Sequence, residues 1–248
     1  MKTTDELMAS TQEASLAAAK KPRSHNLYVF SNAMPDQESV FLDWFKGEHL
    51  QAVSALDKVV SVQHFEQHEL DITGGGSKPI GYHYLGVYEL LLDGAEQAEF
   101  VIDKVSALYS SEKSAGEPAT WLYYPVSEKV GQSPITSSPF MVLAFANAVE
   151  GSQAEFREWY STQHIRHALI IPALVSGQRF ELTGYQKPGS TLPSYESIAV
   201  YEQEDTPENM VASFASLDLG SLAFSPALDV GRFTEWVYSA VSERIFTQ

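Results

Sequence analysis

Two histidines, His49 and His164, are the residues whose type and setting point most directly to chemistry. Each follows an aromatic residue by four positions, Phe45 and Tyr160, and so shares with it the apolar stripe of an amphipathic helix. An imidazole facing a pocket is the usual general acid or base near neutral pH. The competing reading is a core histidine bonded to backbone near a helix C-terminus. Asn32 and Asn147 each end a β-like run, where an amide either braces a turn or aims at a substrate oxygen. Trp44 and Trp159 are core residues or a ligand platform. Tyr82, Tyr84 and Tyr88 alternate around Gly86, and Tyr195 and Tyr201 repeat that face around Ala199. Such walls border a flat ligand or fill a core. Arg179 shares a strand face with Glu181, which suits an ion pair, and the mid-strand amides of Gln63 and Gln178 require partners.

Several chemistries are excluded or weakened. The chain has no cysteine, so disulfides, thiolate nucleophiles and Cys-ligated metals are out. No nucleophile-elbow pattern is present. "TGGGSKP" at 73–79 lies between two strands with no helix to follow, so it reads as a hairpin turn and not a phosphate loop. His164 and His167 stand three apart on a helix, but Ala52 occupies the matching place in the other half, and no metal site is expected. Acidic residues outnumber basic ones 32 to 16, giving a formal charge of −16. That balance argues against nucleic-acid and anionic-membrane partners.

The candidate residues come in pairs because the chain is written twice. "SNAMPDQESVFLDWFKGEH" (31–49) returns as "ANAVEGSQAEFREWYSTQH" (146–164), 115 residues later, and 27–66 laid on 142–181 gives eleven identities in forty positions. The offset recurs where "WLYYPVSEKV" (121–130) lies over "WVYSAVSERI" (236–245). It slips to 113 for "YHYLGVYE" (82–89) against "YESIAVYE" (195–202). The slip falls in Gly/Pro-rich turns, where insertions are tolerated. Each unit reads β-α-β-β-α-β, the ferredoxin-like split unit. One such unit leaves a sheet face bare, so two copies are expected to stack their open faces into a barrel.

The predicted organisation is an arm over 1–25, unit one over 26–130, a Ser/Pro-rich linker over 131–141, and unit two over 142–248. The arm has acids and no apolar core, which makes it a poor secretory signal. No apolar run reaches the ~18 residues of a membrane span. A cytoplasmic protein is the simplest expectation.

The strand–Asn–helix phrase with F-x-x-W-[YF]-x-x-x-H, followed by P-x-x-V-S-x-Q-R-F, resembles the dimeric α+β barrel superfamily, and its EthD-like members in particular. Unit two fits better, with Pro172 and Arg179 where unit one has Asp57 and His64. The resemblance implies a ligand cleft between sheet and helices. It also implies a wide range of activities: cyclases, isomerases, decarboxylases, dehydratases, cofactor-free oxygenases and haem proteins. The expectation is an α+β fold and an enzyme without cofactor, of lyase or isomerase type, acting on a small hydrophobic or aromatic molecule. His164 and His49 would move the proton. Tyr160, Asn147, Asn32, Trp159, Trp44, Tyr82, Tyr84 and Arg179 would hold the substrate. Two other classes compete: a non-catalytic binding or stress-associated barrel, and a cofactor-free oxygenase. The fused chain could also pair again as a homodimer.

Overall fold

β-Branched and aromatic runs form the strands, and Gly/Pro turns end them. In a computed structural model, residues 23–247 are described apart from 71, 73–80, 110–111, 137–138, 188–194 and 215–223. Most of the expected arm, 1–22, and the "TGGGSKP" turn therefore lie outside the described residues.

The first unit contains β1 (His25–Ser31), α1 (Glu38–Trp44), α2 (Leu50–Ser54), β2 (Val59–Gln67), β3 (Tyr84–Leu90), α3 (Ala95–Leu108) and β4 (Ala119–Pro125). A short β5 (Val130–Gly131) follows. The second unit repeats the order with β6 (Phe140–Ala146), α4 (Gln153–Trp159), α5 (Ile165–Ala168), β7 (Leu174–Leu182), β8 (Ser197–Gln203), α6 (Pro207–Phe214) and β9 (Thr234–Ala240), ending in β10 (Ile245–Phe246). Both units thus have the expected β-α-β-β-α-β order.

The strands run β2-β3-β1-β4-β7-β8-β6-β9, and β9 returns to β2, closing an antiparallel barrel of eight. Alternation sends one side chain inward and the next toward the helices. Phe30, Phe65, Trp121, Phe145, Phe180 and Trp236 meet inside the barrel. The helices cover the outside, with separate cores in the first unit and the second. The α+β class and the fused barrel therefore hold. Among the described residues, no helix is long and apolar enough to cross a membrane.

The segments after β4 and β9 cross over, each onto the other unit. β5 pairs with β7, and β10 pairs with β2. This crossing answers where the mid-strand glutamines find partners. Gln178 Nε2 donates to the Ser127 carbonyl at 2.9 Å, and Gln63 Nε2 to the Ser242 carbonyl at 3.2 Å. Both glutamines point to the barrel interior, near one mouth. There Arg23 meets Glu89 and Gln178, while Lys129 and Arg244 both meet Glu202. Burial alone would raise the Glu202 carboxyl, but Arg244 and Lys129 hold it down at about 2.

Two expectations about tyrosines are corrected. Tyr82 does not share a face with Tyr84 and Tyr88, because β3 begins only at Tyr84. Strand alternation does not extend to a residue outside the strand. Tyr82 packs against the barrel interior, whereas Tyr84 and Tyr88 face the helices. Tyr195 and Tyr201 divide in the same way.

Candidate functional site

Between α1 and α2, and again between α4 and α5, the helix widens into a single π turn: Phe45–His49 and Tyr160–His164. π Turns often occur at functional sites. Each one buries its first aromatic and its histidine against the sheet. The two copies are then furnished differently.

In unit one the space is filled. His49 is 1% exposed and ringed by Trp44, Tyr109 and His64, with centroids 4.6, 4.5 and 5.1 Å away. Neither ring nitrogen has a hydrogen-bond partner, and burial lowers its pKa to about 3. His64 donates from Nδ1 to the Phe45 carbonyl at 2.7 Å, leaving Nε2 to accept from the Tyr88 hydroxyl at 3.1 Å. Tyr109 in turn reaches Tyr88 at 3.4 Å. Burial, with His49 alongside, holds His64 well below the usual imidazole range.

In unit two the same positions are more polar. Tyr160 replaces Phe45, Arg179 replaces His64, and Glu235 replaces Thr120, each at the 115-residue offset. Register places Glu235 opposite Ala144, Ala144 opposite Ala199, and Ala199 opposite Arg179. One row across four strands thus has two alanines in the middle with an acid and a cation at its ends. At ordinary strand spacing those ends are about 14 Å apart at the backbone. The corresponding row in unit one is Thr120, Val29, Gly86 and His64, and the Tyr88 hydroxyl lies over Gly86. Tyr201 has its ring against Gly177.

Arg179 is 1% exposed and fully engaged. It pairs with Glu181, donates to Ser197 Oγ at 3.0 Å and to Ser161 Oγ at 2.9 Å, and lies over the rings of Phe156 and Tyr160. The sequence-level ion pair with Glu181 is present. Burial pushes the Glu235 carboxyl up to about 7, although the residue keeps some exposed surface. Burial also raises the hydroxyls of Tyr160 and Tyr201, with Glu235 contributing to both shifts. The two hydroxyls influence one another, and neither has any other hydrogen-bond partner. Burial, then His167, lowers His164 to about 4, so its imidazole is neutral at physiological pH. His164 lies 4.6 Å from the Trp159 ring, 5.0 Å from Tyr160 and 5.6 Å from Phe224. An open cleft of ≈ 400 Å³ runs past Trp159 and Phe224.

The other expected site residues are placed as follows. Asn32 spends both ends of its amide on backbone, donating to the Gly81 carbonyl and accepting from the His83 N–H, each at 2.8 Å. Asn147 accepts from the Glu196 N–H at 2.8 Å in the same way. Trp44 and Tyr84 pack with Phe41 in the first unit's core. Glu235 was missed by sequence reasoning. Its signal was available: it sits one residue before Trp236, and so on the opposite face, where unit one has a threonine.

A haem, which the superfamily resemblance includes, requires a flat cavity and a bare imidazole nitrogen. In unit one the rings of Trp44, His64 and Tyr109 occupy that space around His49, which does not fit one. Among the described residues, no group of three or more His, Asp or Glu residues is arranged to hold a metal ion.

No family model matches the sequence, and no curated protein matches it. Among solved structures, the chain is similar to an anthrone oxidase-like protein, with TM-score 0.57 at 10% identity, covering 92% of this chain and 94% of that one. It is similar to a candidate monooxygenase from Fusobacterium nucleatum subsp. nucleatum, with TM-score 0.51 at 8% identity, covering 90% and 95%. A chlorite dismutase from Candidatus Nitrospira defluvii gives TM-score 0.50 at 10% identity, covering 91% and 95%. At these identities the likeness establishes the fold, a dimeric α+β barrel carried in one chain.

Proposed function

We propose that the second unit is the site of a cofactor-independent oxygenase or oxidase acting on a planar phenolic or ketonic carbon acid. The observation that carries this reading is the row Glu235–Ala144–Ala199–Arg179. It sets a carboxyl poised at about 7 across two small residues from a buried cation. A base whose pKa lies near the working pH is well matched to proton abstraction. This moves the proton-transfer role from His164, the residue first expected to hold it, to Glu235. His164, neutral and beside Tyr160, is left to hydrogen-bond the substrate. Unit one has no counterpart to Glu235 or Tyr160, which supports a single site per chain. The repeated F-x-x-W-[YF]-x-x-x-H phrase supports an EthD-like placement within the superfamily.

In the proposed reaction, Glu235 takes a proton from the activated carbon, and the electron pair stays on the substrate as an enolate. The hydroxyls of Tyr160 and Tyr201 donate to its oxygen, and the Arg179 cation stabilises the charge. The enolate gives one electron to dioxygen, and the resulting radical pair joins through a new C–O bond. The proton held by Glu235 returns to the distal oxygen, giving a hydroperoxide. Loss of the second C–H proton, with cleavage of O–O, releases water and leaves a carbonyl. In balance, one substrate methylene and one dioxygen become one carbonyl and one water. The names of two similar structures, an anthrone oxidase-like protein and a candidate monooxygenase, favour oxygen chemistry over lyase or isomerase chemistry.

Oxygen uptake with anthrone as probe substrate tests the reading. One dioxygen consumed per anthraquinone formed, lost in Glu235→Gln, is the expected result. Turnover of the probe without oxygen uptake would return the site to isomerase or lyase chemistry. Full activity in Glu235→Gln would remove the proposed base.

A further inference from the structure

The offset that pairs the histidines also pairs two aromatic residues that lie over them. Tyr109 corresponds to Phe224, 115 positions apart. In unit one, Tyr109 stands edge-on 4.5 Å from His49 and is tied to the Tyr88 hydroxyl. Trp44 closes the other side, its ring 5.7 Å from Tyr109. In unit two, Phe224 stands further off, 5.6 Å from His164, makes no such tie and is 55% exposed. An exposed phenylalanine beside a tryptophan-lined cleft leaves apolar surface in water that a ligand can cover. The cleft's remaining charged lining is Glu155 and Glu158, both exposed. Two carboxylates there, on a chain of formal charge −16, repel anions and leave neutral rings unopposed.

We infer that Trp159 and Phe224 wall a slot for a neutral planar aromatic ring system, and that Tyr109 is the side chain that closes the same slot in the first unit. The inference rests on the second unit being the site and adds to it a substrate charge class, a specificity residue and a stoichiometry. Carboxylated or phosphorylated forms of a ring system are discriminated against at the entrance. The hydroxyl that Tyr109 has and Phe224 lacks is what ties one side chain down and leaves the other out.

Calorimetric titration of the full chain tests this with two probes, neutral 1-naphthol and anionic 1-hydroxy-2-naphthoate. The expected result is one naphthol site per chain, at least tenfold weaker in Phe224→Ala, with naphthoate at least fivefold weaker than naphthol. Glu155→Gln/Glu158→Gln should narrow the gap between the probes. Tyr109→Ala should raise the stoichiometry to two, while Tyr109→Phe, which keeps the ring, should leave it at one. Absence of naphthol binding, unchanged affinity in Phe224→Ala, or equal affinity for both probes would each overturn the inference. Because Phe224 is exposed, its variant tests the slot even if Tyr109→Ala does not fold. Binding is read without turnover. A chain that binds naphthol through Phe224 yet consumes no oxygen with anthrone refutes the oxygenase reading and leaves the slot intact.

Discussion

His49 gives the sharpest stability prediction. It is buried with neither nitrogen bonded, and its pKa falls from 6.5 to about 3 on folding. The unfolded chain therefore binds a proton at pH 5 that the folded chain refuses. With more protons bound in the unfolded state, stability rises with pH, so acid removes it between pH 6.5 and the folded value. At pH 5, the gap between 6.5 and 5 alone costs about 2 kcal/mol at 1.36 kcal/mol per unit, while at pH 7 the cost is close to zero. Glu235 acts in the opposite sense: its raised pKa means that protonation on acidification favours the folded state, which partly masks the histidines in the parent protein. The comparison must therefore be with His49→Phe. Any packing change in that variant is the same at both pH values and cancels. Urea unfolding at pH 7 and pH 5 should show the parent losing about 2 kcal/mol more than the variant on acidification. Equal losses would refute the claim that a neutral, unpartnered imidazole sits at this position.

Two further substitutions probe the furnishing of the units. Arg179→Met leaves Glu181 with Arg157 and Tyr124 as its remaining partners and frees Ser161 and Ser197, so urea unfolding should report a loss of about 1–3 kcal/mol. Gly86→Ala places a methyl 2.1 Å from the Tyr88 hydroxyl. It should break the Tyr88–His64 bond, lower stability by about 1–3 kcal/mol, and shift the His64 ring signals in NMR while leaving those of His164 in place.

The fold was legible because duplication exposes it. Residues equivalent at one offset must occupy equivalent places, and the Gly/Pro turns absorbed the two-residue slip. The ion pair of Arg179 with Glu181 followed from two-residue spacing on one strand. Three features were not legible. The tyrosine face failed at Tyr82 because the strand begins only at Tyr84. The partners of Gln63 and Gln178 come from arms that cross between units, a long-range contact that local pattern does not encode. Glu235 was not legible from the repeat because the shared residues define the repeat, and this acid is where the two halves differ. In a duplicated chain that builds one site, the differences between copies mark the chemistry and the identities mark the scaffold.

The central claim is that Glu235 is the base of a site present only in the second unit. The most direct test is the pH dependence of kcat/KM for oxygen uptake with anthrone, in the parent and in Glu235→Gln. The account predicts a rate that rises with pH through an inflection near 7 and then levels. In the glutamine variant the inflection should vanish, and the plateau should fall by about 10²–10⁴. A variant that keeps both the rate and the inflection would contradict the account.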